Sequence, residues 1–188
     1  MFKCLNVKMI KAFTLIELMV AVLVFSIIAA AASGILISSL KSQKRILAEQ
    51  RILGQTSYIL EYMSRTLRMA KKDLIGDCIN VKMNYEKTRA GNGLQFINYK
   101  DECWEFFLDN NELKERRKIG TVDEEILSLT SSNLKVNSLN FNLIGRPVDD
   151  NSQPRVTFSL SVRGVDFGVS QPDIKIQTTI SQRNLDVP

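Results

Sequence analysis

The longest apolar stretch of the chain lies near its N-terminus, where residues 18–40 contain no charged side chain. These 23 positions match the roughly 20 residues that a helix needs to cross a bilayer. Lys3, Lys8 and Lys11 precede the stretch, with no acidic residue among them. Because basic residues beside a span tend to stay in the cytoplasm, we predict a single-pass membrane protein whose C-terminal body lies outside the cytoplasm.

One acidic residue, Glu17, stands at the start of this apolar region. A carboxylate in such a place is costly, so it indicates a functional role. Two simpler interpretations are open. One is a secretory signal peptide that is cleaved near the small residues 29–33, and the other is a signal anchor for an extracytoplasmic domain. A charge at the start of the apolar region would weaken a signal peptide, so Glu17 argues against the first interpretation. A signal anchor leaves Glu17 without a function.

A second pattern, typical of an amphipathic helix, follows from residue 41 to about residue 75. Ile46, Leu53, Leu60 and Leu67 recur every seven residues, and charged residues occupy other faces. We therefore predict one long helix whose second half packs on a sheet, with a coiled coil to another protein as the alternative. Other apolar or small residues accompany this stripe at Ile52, Thr56, Ile59, Met63 and Ala70.

The rest of the chain alternates apolar and polar residues in short runs, which is typical of β-strands. Residues 155–163 alternate most clearly, and residues 109–111 are typical of a tight hairpin turn. A helix followed by strands predicts an α+β fold with an antiparallel sheet. The predicted strands cover residues 79–85, 93–99, 103–109, 112–118, 139–144, 155–163 and 174–180.

The composition narrows the possible functions. Hydrophobic residues make up 45% of the chain and charged residues 24%, which fits a folded protein. Histidine is absent, and the sequence has neither a glycine-rich phosphate loop nor a Cys-x-x-Cys pair, so we expect no enzymatic activity and no cofactor. Without the three leading lysines, the 25 basic residues fall to 22 against 20 acidic ones, a balance that indicates no general affinity for nucleic acid.

Two further groups of residues support structural interpretations. Outside the N-terminal region the cysteines are Cys78 and Cys103, which we predict to form a disulfide in an oxidising compartment, with two unpaired thiols as the alternative. The acidic cluster of Asp123, Glu124 and Glu125 is interpreted as a solvated loop or the start of a helix.

The stretch Phe13-Thr14-Leu15-Ile16-Glu17 follows a short basic leader and opens the apolar run. It resembles the N-terminal class III signal of type IV pilins and type II secretion pseudopilins. The resemblance implies that a prepilin peptidase cleaves between Ala12 and Phe13, and that the new amine of Phe13 is methylated. It also implies storage in the bacterial inner membrane, followed by assembly with other pilin or pseudopilin subunits at an inner-membrane assembly platform. The chain departs from the family at Ala12, where glycine is usual.

Glu17 acquires a role within this resemblance. Cleavage would create a cation at Phe13, and the family implies that Glu17 of an incoming subunit neutralises the Phe13 amine of its neighbour. In a medium of low dielectric constant an unpaired charge is strongly penalised and a paired one much less so. The acid would therefore set the register between subunits.

The resemblance divides the chain into four segments: a leader at residues 1–12, a transmembrane and filament-core helix at 13–40, an amphipathic helix at 41–75 and a β-rich head at 76–188. Within the head, residues 129–145, 153–164 and 176–184 are similar to minor pilins of the W type and minor pseudopilins of the J type. This similarity indicates a minor subunit rather than a main one. A membrane-anchored domain with no role in a filament is the alternative.

Two motifs in the head are candidate binding sites. Asp149, Asp150 and Asn151 offer the oxygen ligands that calcium takes, although such turns are common without a metal.

The second motif is the basic run that holds Lys114, Arg116 and Arg117. Some pilins of DNA-uptake systems bind DNA through basic strips, which makes a DNA-binding minor pilin an alternative function. The simpler interpretation is a solvated strand whose charges discourage pairing with other strands.

Overall fold

The computed structural model describes residues 13–119, 122–147, 152–165 and 173–183. Helix α1 comes first, and eight strands, β1 to β8, follow it. The predicted α+β class is confirmed, because one long N-terminal helix precedes antiparallel sheets. The chain divides into two compact units, Met1–Lys44 and Arg45–Pro188.

Helix α1 spans Leu15–Arg68. In the first unit, all the described side chains are exposed, and within residues 18–37 all of them except two serines are apolar. The hydroxyls of Ser26 and Ser33 donate hydrogen bonds to the carbonyls of Val22 and Ala29, so these polar groups are satisfied within the helix. A helix that is apolar on all sides belongs in apolar surroundings. By length and composition, α1 is able to cross a membrane.

In the second unit α1 buries one stripe, which includes most of the predicted residues but not the whole seven-residue row. The predicted residues Ile46 and Leu53 are 49% and 46% exposed. A strict seven-residue repeat drifts by ~20° per heptad around a straight helix, so this row leaves the buried face as it is followed back from Leu67. The buried residues are spaced three or four apart, and all but the first of them belong to the predicted set: Ala48, Ile52, Thr56, Ile59, Met63 and Leu67.

The helix also ends earlier than predicted, at Arg68 rather than near residue 75. The backbone N–H of Lys71 donates to the carbonyl of Ile97 at 2.9 Å, and the N–H of Asp73 donates to the carbonyl of Met83 at 2.9 Å. These bonds place the chain beside the sheet in isolated β-bridges, where helical geometry is impossible.

The first sheet contains five antiparallel strands in sequence order, so each strand pairs with the next along the chain. Its β3–β4 hairpin turns through Asn110 and Asn111, both with positive φ, as a two-residue turn requires. The strands are β1 (Glu86–Thr88), β2 (Gly93–Ile97), β3 (Cys103–Asp109), β4 (Glu112–Ile119) and β5 (Val122–Ser128).

Two predictions for this region were wrong. Residues 79–85 form turns and an isolated bridge instead of a strand, because the N–H groups of Cys78 and Ile79 bond to a side chain rather than to a neighbouring strand. The cluster of Asp123, Glu124 and Glu125 lies in strand β5 instead of a loop or helix start. Position 125 pairs with Arg117 in the register of β4 and β5, so a cation faces this acid across the ladder.

The second sheet contains three antiparallel strands in the order β6-β7-β8, so the head has two sheets. A bulge interrupts β6 between Val136 and Ser138. On β7 the residues Val156, Phe158 and Leu160 are buried, as the alternation of the sequence predicts. The strands are β6 (Leu134–Ile144), β7 (Arg155–Gly164) and β8 (Ile174–Ser181).

One hydrophobic core joins the second half of α1 to both sheets. Met63 and Leu67 of the helix belong to the same buried cluster as Phe106 of the first sheet and Phe158 of the second. The ring of Tyr62 meets Phe106 edge to face, with the centroids 6.2 Å apart. Burial of this cluster is the main stabilising contribution to the second unit.

A buried polar network also connects the second half of α1 with the first sheet. The carboxylate of Glu115 on β4 is fully buried, and the hydroxyl of Tyr62 on α1 donates to its Oε2 at 2.7 Å. The guanidinium of Arg117 donates to the other Glu115 oxygen and also to the Tyr62 hydroxyl, at 3.1 Å for the latter. Arg117 also stacks over the ring of Trp104, with its guanidinium carbon 4.5 Å from the centroid. Every member of the network therefore has a partner.

Candidate functional site

The N-terminal end of α1 holds the strongest sequence motif of the chain. Phe13 is the first described residue and is exposed, whereas Ala12, the other residue of the predicted cleavage site, lies outside the described residues. The helix begins at Leu15, so Thr14 is its N-cap and Glu17 lies in its first turn.

Thr14 and Glu17 form a reciprocal cap at this end of the helix. The backbone N–H and the hydroxyl of Thr14 both donate to Oε2 of Glu17 at 3.0 Å, and the N–H of Glu17 donates to the Thr14 hydroxyl at 3.4 Å. This is the capping-box arrangement, which satisfies backbone donors that have no partner inside the helix. The carboxylate is thus bound within its own chain while it stays exposed.

The capping role of Thr14 was not predicted, although the sequence carries a signal for it. A threonine followed three residues later by glutamate, just before an apolar run, is the standard sequence signature of a capped helix start. An acid in the first turn also interacts favourably with the helix dipole. These two effects lower the cost of placing Glu17 beside the apolar segment.

The two predicted disulfide partners lie next to each other. Cys103 begins β3, and Cys78 lies in the loop that follows α1. Their Sγ atoms are 2.02 Å apart and their Cα atoms 5.4 Å apart, across 25 positions of sequence. The bridge would fasten the loop to the first sheet.

Asp73 organises the same loop, although no motif or periodicity in the sequence points to it. Its side chain is 1% exposed, and its two oxygens accept four backbone N–H groups at 2.6–3.1 Å. Burial alone would raise the pKa of this carboxyl, but the four hydrogen bonds outweigh burial and hold the pKa below its usual range. The donors belong to Ile75, Gly76, Cys78 and Ile79.

The three residues predicted to contact DNA do not share one surface. Successive side chains of a strand point to opposite faces, so Lys114 and Arg116 lie on the outer face of β4 while Arg117 lies on the face toward α1. Lys114 forms an ion pair with Asp109 at 2.7 Å. The alternation of the strand therefore divides a basic run that is continuous in sequence.

Arg116 is paired as well, with a buried acid. Glu105 on β3 is 2% exposed, and Arg116 lies 2.8 Å from its Oε2, while Arg89 lies 3.2 Å from its Oε1. The Oε2 atom has no well-directed hydrogen bond, so its contact with Arg116 is an ion pair of imperfect geometry. All three cations of the motif are therefore neutralised by carboxylates of the head.

The predicted calcium ligands, Asp149, Asp150 and Asn151, lie outside the described residues. Among the residues that the structure does describe, no group of three or more acidic or cysteine side chains is arranged to hold a metal ion.

Comparison with known proteins gave one match. Neither the curated proteins nor the solved structures include a significant match to this chain. One family model, described as the prokaryotic N-terminal methylation motif, matches residues 7–33, a range that contains Phe13, the Thr14–Glu17 cap and the first part of α1. With the long apolar helix and the antiparallel sheets behind it, this motif supports a prepilin-processed protein of the type IV pilin and pseudopilin class.

Proposed function

We propose that the chain is a minor structural subunit of a type IV pilus or a type II secretion pseudopilus. One observation carries the proposal: the methylation motif at residues 7–33 overlaps the start of a helix that is able to span a membrane. The similarity of the C-terminal strands to W-type minor pilins and J-type minor pseudopilins supports the minor role. The function is assembly rather than catalysis.

In this proposal the chain is inserted in the bacterial inner membrane with its head outside the cytoplasm. The prepilin peptidase removes residues 1–12 by cleaving between Ala12 and Phe13, and the new amine of Phe13 is methylated. The assembly platform then moves the subunit from the membrane into the filament, where it contacts other pilins or pseudopilins. The apolar surface of residues 15–40 exchanges lipid for neighbouring helices.

Glu17 exchanges partners during this transfer. In the isolated chain its carboxylate accepts two hydrogen bonds from Thr14. In the filament it pairs with the Phe13 amine of a neighbouring subunit, which satisfies both charges in apolar surroundings. The hydrogen bonds from Thr14 already orient the carboxylate at the helix end. Pairing with the amine therefore costs little additional conformational entropy.

The exposed apolar residues of α1 in the second unit support the same function. Ile46, Leu47 and Leu53 are roughly half exposed, and they lie away from the buried stripe. Apolar residues exposed in a contiguous group often mark a surface for another protein. Neighbouring subunits would cover this side of the helix.

DNA binding through Lys114, Arg116 and Arg117 is less well supported. Each of these cations already has a carboxylate partner, and their side chains lie on two faces of β4. Phosphate binding would require these ion pairs to break.

Mass spectrometry of the N-terminus tests the proposal. The protein is purified from a bacterium with its prepilin peptidase and from a strain without that enzyme. We expect a mature chain that begins with methylated Phe13 in the first strain and the uncleaved chain in the second. Ala12→Gly, which restores the usual family residue, is the matched control and should be processed at least as completely. An intact N-terminus in both strains, or cleavage near Ala32, would contradict the proposal.

A further inference from the structure

The outer face of the β6–β7–β8 sheet is polar across all three strands except at Ile144, which is 50% exposed and lies opposite Arg155. The buried side chains of these strands alternate with residues that point away from the core. The strand registers arrange the outward residues in rows across the sheet. Three consecutive rows hold only amide, hydroxyl and ammonium groups: Asn142, Thr157 and Thr179; Asn140, Ser159 and Gln177; and Ser138, Ser161 and Lys175.

Cations flank these rows, and one of them, Lys175, interacts electrostatically with the carboxylate of Asp173. Lys135, Arg155 and Lys175 are exposed, and none of them forms an ion pair with a carboxylate of the described residues. The acid of this face, Asp173, binds both guanidinium nitrogens of Arg163, at 2.7 and 3.0 Å. The positive charges of this face are therefore accessible to a ligand, whereas those of β4 are held in ion pairs.

The positive charges stand at both ends of the neutral rows. Lys135 lies opposite Arg163, and Lys175 lies opposite Ser161, so these two lysines are at one end of the sheet. Arg155 is at the other end of β7, eight residues from Arg163, which corresponds to roughly 27 Å along a strand. A ligand that contacts both ends must be extended.

A shallow depression of about 410 Å³ lies between the two ends. Ser138 is at the bulge of β6, where the extra residue changes the spacing of the strand, and serine side chains are too short to fill the surface. The polar lining residues are Ser138, Ser159, Lys175, Gln177 and the largely buried Ser161, and Leu160 and Ile176 line the depression as well. Most of this lining can donate and accept hydrogen bonds without carrying a charge.

The arrangement distinguishes between extended polyanions. Proteins that bind single-stranded nucleic acid usually stack its bases on aromatic side chains, and the described outward residues of this face include none. Duplex DNA is held mainly through its phosphates, which would use the cations and leave most of the central amides and hydroxyls unused. A sugar chain with carboxylates would use both the uncharged residues and the cations. Its hydroxyls would form hydrogen bonds with the central amides and hydroxyls, and its carboxylates would pair with the cations.

We propose that this face binds an acidic polysaccharide. Its carboxylates pair with Lys135, Lys175 and Arg155, and its hydroxyls bond to the amides and hydroxyls between them. One sugar unit occupies the depression beside Ser138. The proposal does not depend on how the subunit is processed or assembled.

Binding of alginate oligosaccharides to the full-length protein in detergent micelles tests this inference. We expect saturable binding that weakens as salt is added, and no binding of neutral dextran, because the contacts are partly ionic. The double variant Lys135→Gln/Lys175→Gln should bind roughly tenfold or more weakly, since it loses two charge-assisted hydrogen bonds. Lys87→Gln removes an exposed lysine from the other sheet and should leave the affinity unchanged.

A second variant tests the depression without changing the charge. Ser138→Leu fills it from an exposed position and should also weaken binding, with an unchanged thermal unfolding midpoint as the control for folding. Alginate affinity that is unaffected in both variants would overturn the proposal. Equal binding of dextran would also overturn it, and so would a DNA duplex that binds more tightly than alginate and loses affinity in the same variants.

Discussion

The carboxylate of Asp73 accepts a hydrogen bond from the backbone N–H of Cys78 at 2.9 Å. A buried acid thus orients the loop residue whose sulfur meets Cys103 on β3. Three further N–H groups of the same loop bind this carboxylate. The loop after α1 is therefore held from inside by hydrogen bonds and from the sheet by the cysteine pair.

Replacing Asp73 with asparagine should destabilise the head by about 1–3 kcal/mol, because one carboxylate oxygen becomes an amide that cannot accept the loop N–H groups. Chemical denaturation of the full-length chain in detergent measures this change in unfolding free energy. Asp77→Asn, at an exposed position of the same loop, is the matched control and should have little effect. Equal stability of the two variants would contradict the role assigned to Asp73.

The same carboxylate makes stability depend on acidity. The pKa of Asp73 is lower in the folded chain, so its contribution is present above the unfolded pKa of about 4 and is lost as the pH falls through the lower folded value. The wild-type chain should therefore lose stability below pH ~4 more steeply than Asp73→Asn does. Parallel acid-denaturation curves for the two proteins would refute this prediction.

The cysteine pair should be oxidised in the protein isolated from its native compartment. A thiol-alkylating reagent should leave Cys78 and Cys103 unmodified until a reductant is added, and mass spectrometry measures the number of added groups. Reduction should lower the unfolding free energy by about 2–4 kcal/mol, the usual range for a bridge of this kind. The double variant Cys78→Ser/Cys103→Ser provides the control, since its stability should not respond to the reductant.

Tyr62→Phe should destabilise the contact between α1 and β4. The change removes the hydroxyl that donates to Glu115 at 2.7 Å and leaves a fully buried carboxylate with one partner fewer. The expected loss is about 1–3 kcal/mol in unfolding free energy. Tyr58→Phe, at an exposed position of the same helix, should cost little.

The ionisation of Tyr62 gives an independent measurement. Burial, followed by the hydrogen bond to Glu115 and its charge, raises the pKa of Tyr62 to about 12. Because the folded pKa exceeds the unfolded value of about 10, the stabilising contribution is complete below pH ~10 and is lost as the pH rises toward 12. The difference between the ultraviolet titrations of wild type and Tyr62→Phe should show this late ionisation, and a difference curve centred near pH ~10 would disprove it.

Glu17→Gln separates the two roles of the acid at the start of α1. Glutamine keeps an oxygen that accepts hydrogen bonds from Thr14 but has no charge to pair with an amine. We expect normal cleavage and a large decrease in the fraction of subunits recovered in filaments. Thr14→Val, which removes the hydroxyl of the cap and retains the charge, should reduce incorporation less. Wild-type incorporation of Glu17→Gln would eliminate the charge-pairing role.

The sequence predicted the features that depend on short-range pattern. The charge-free run and the alternation of residues 155–163 each follow from a periodicity that one element imposes on its own residues. The buried stripe of α1 is predicted in its second half, but the seven-residue row leaves the core face at Ile46 and Leu53. The 3.6-residue turn separates that row from the buried face over several heptads.

Long-range contacts account for most of the other differences. The acids of β5 conceal a strand that is fixed by pairing with β4. The basic run of β4 was misleading for a similar reason, because the partners of Lys114 and Arg116 come from β3. The N–H groups bound by Asp73 lie only two to six residues later, but a loop of this kind imposes no periodicity that the sequence could show. Thr14 is the exception, since its capping signature was present in the sequence.

The Tyr62–Glu115–Arg117 network determines how the head responds to mechanical load. A force applied along α1 would be transmitted to strand β4 by the hydrogen bond from Tyr62 to the buried Glu115 carboxylate, as well as by apolar packing. Separating the two elements at this point would deprive the buried carboxylate of its tyrosine partner and leave it with Arg117 alone, and the loss of a hydrogen bond to a buried charged group is costly. The second half of α1 and the first sheet therefore bear tension together, as one joined structural part.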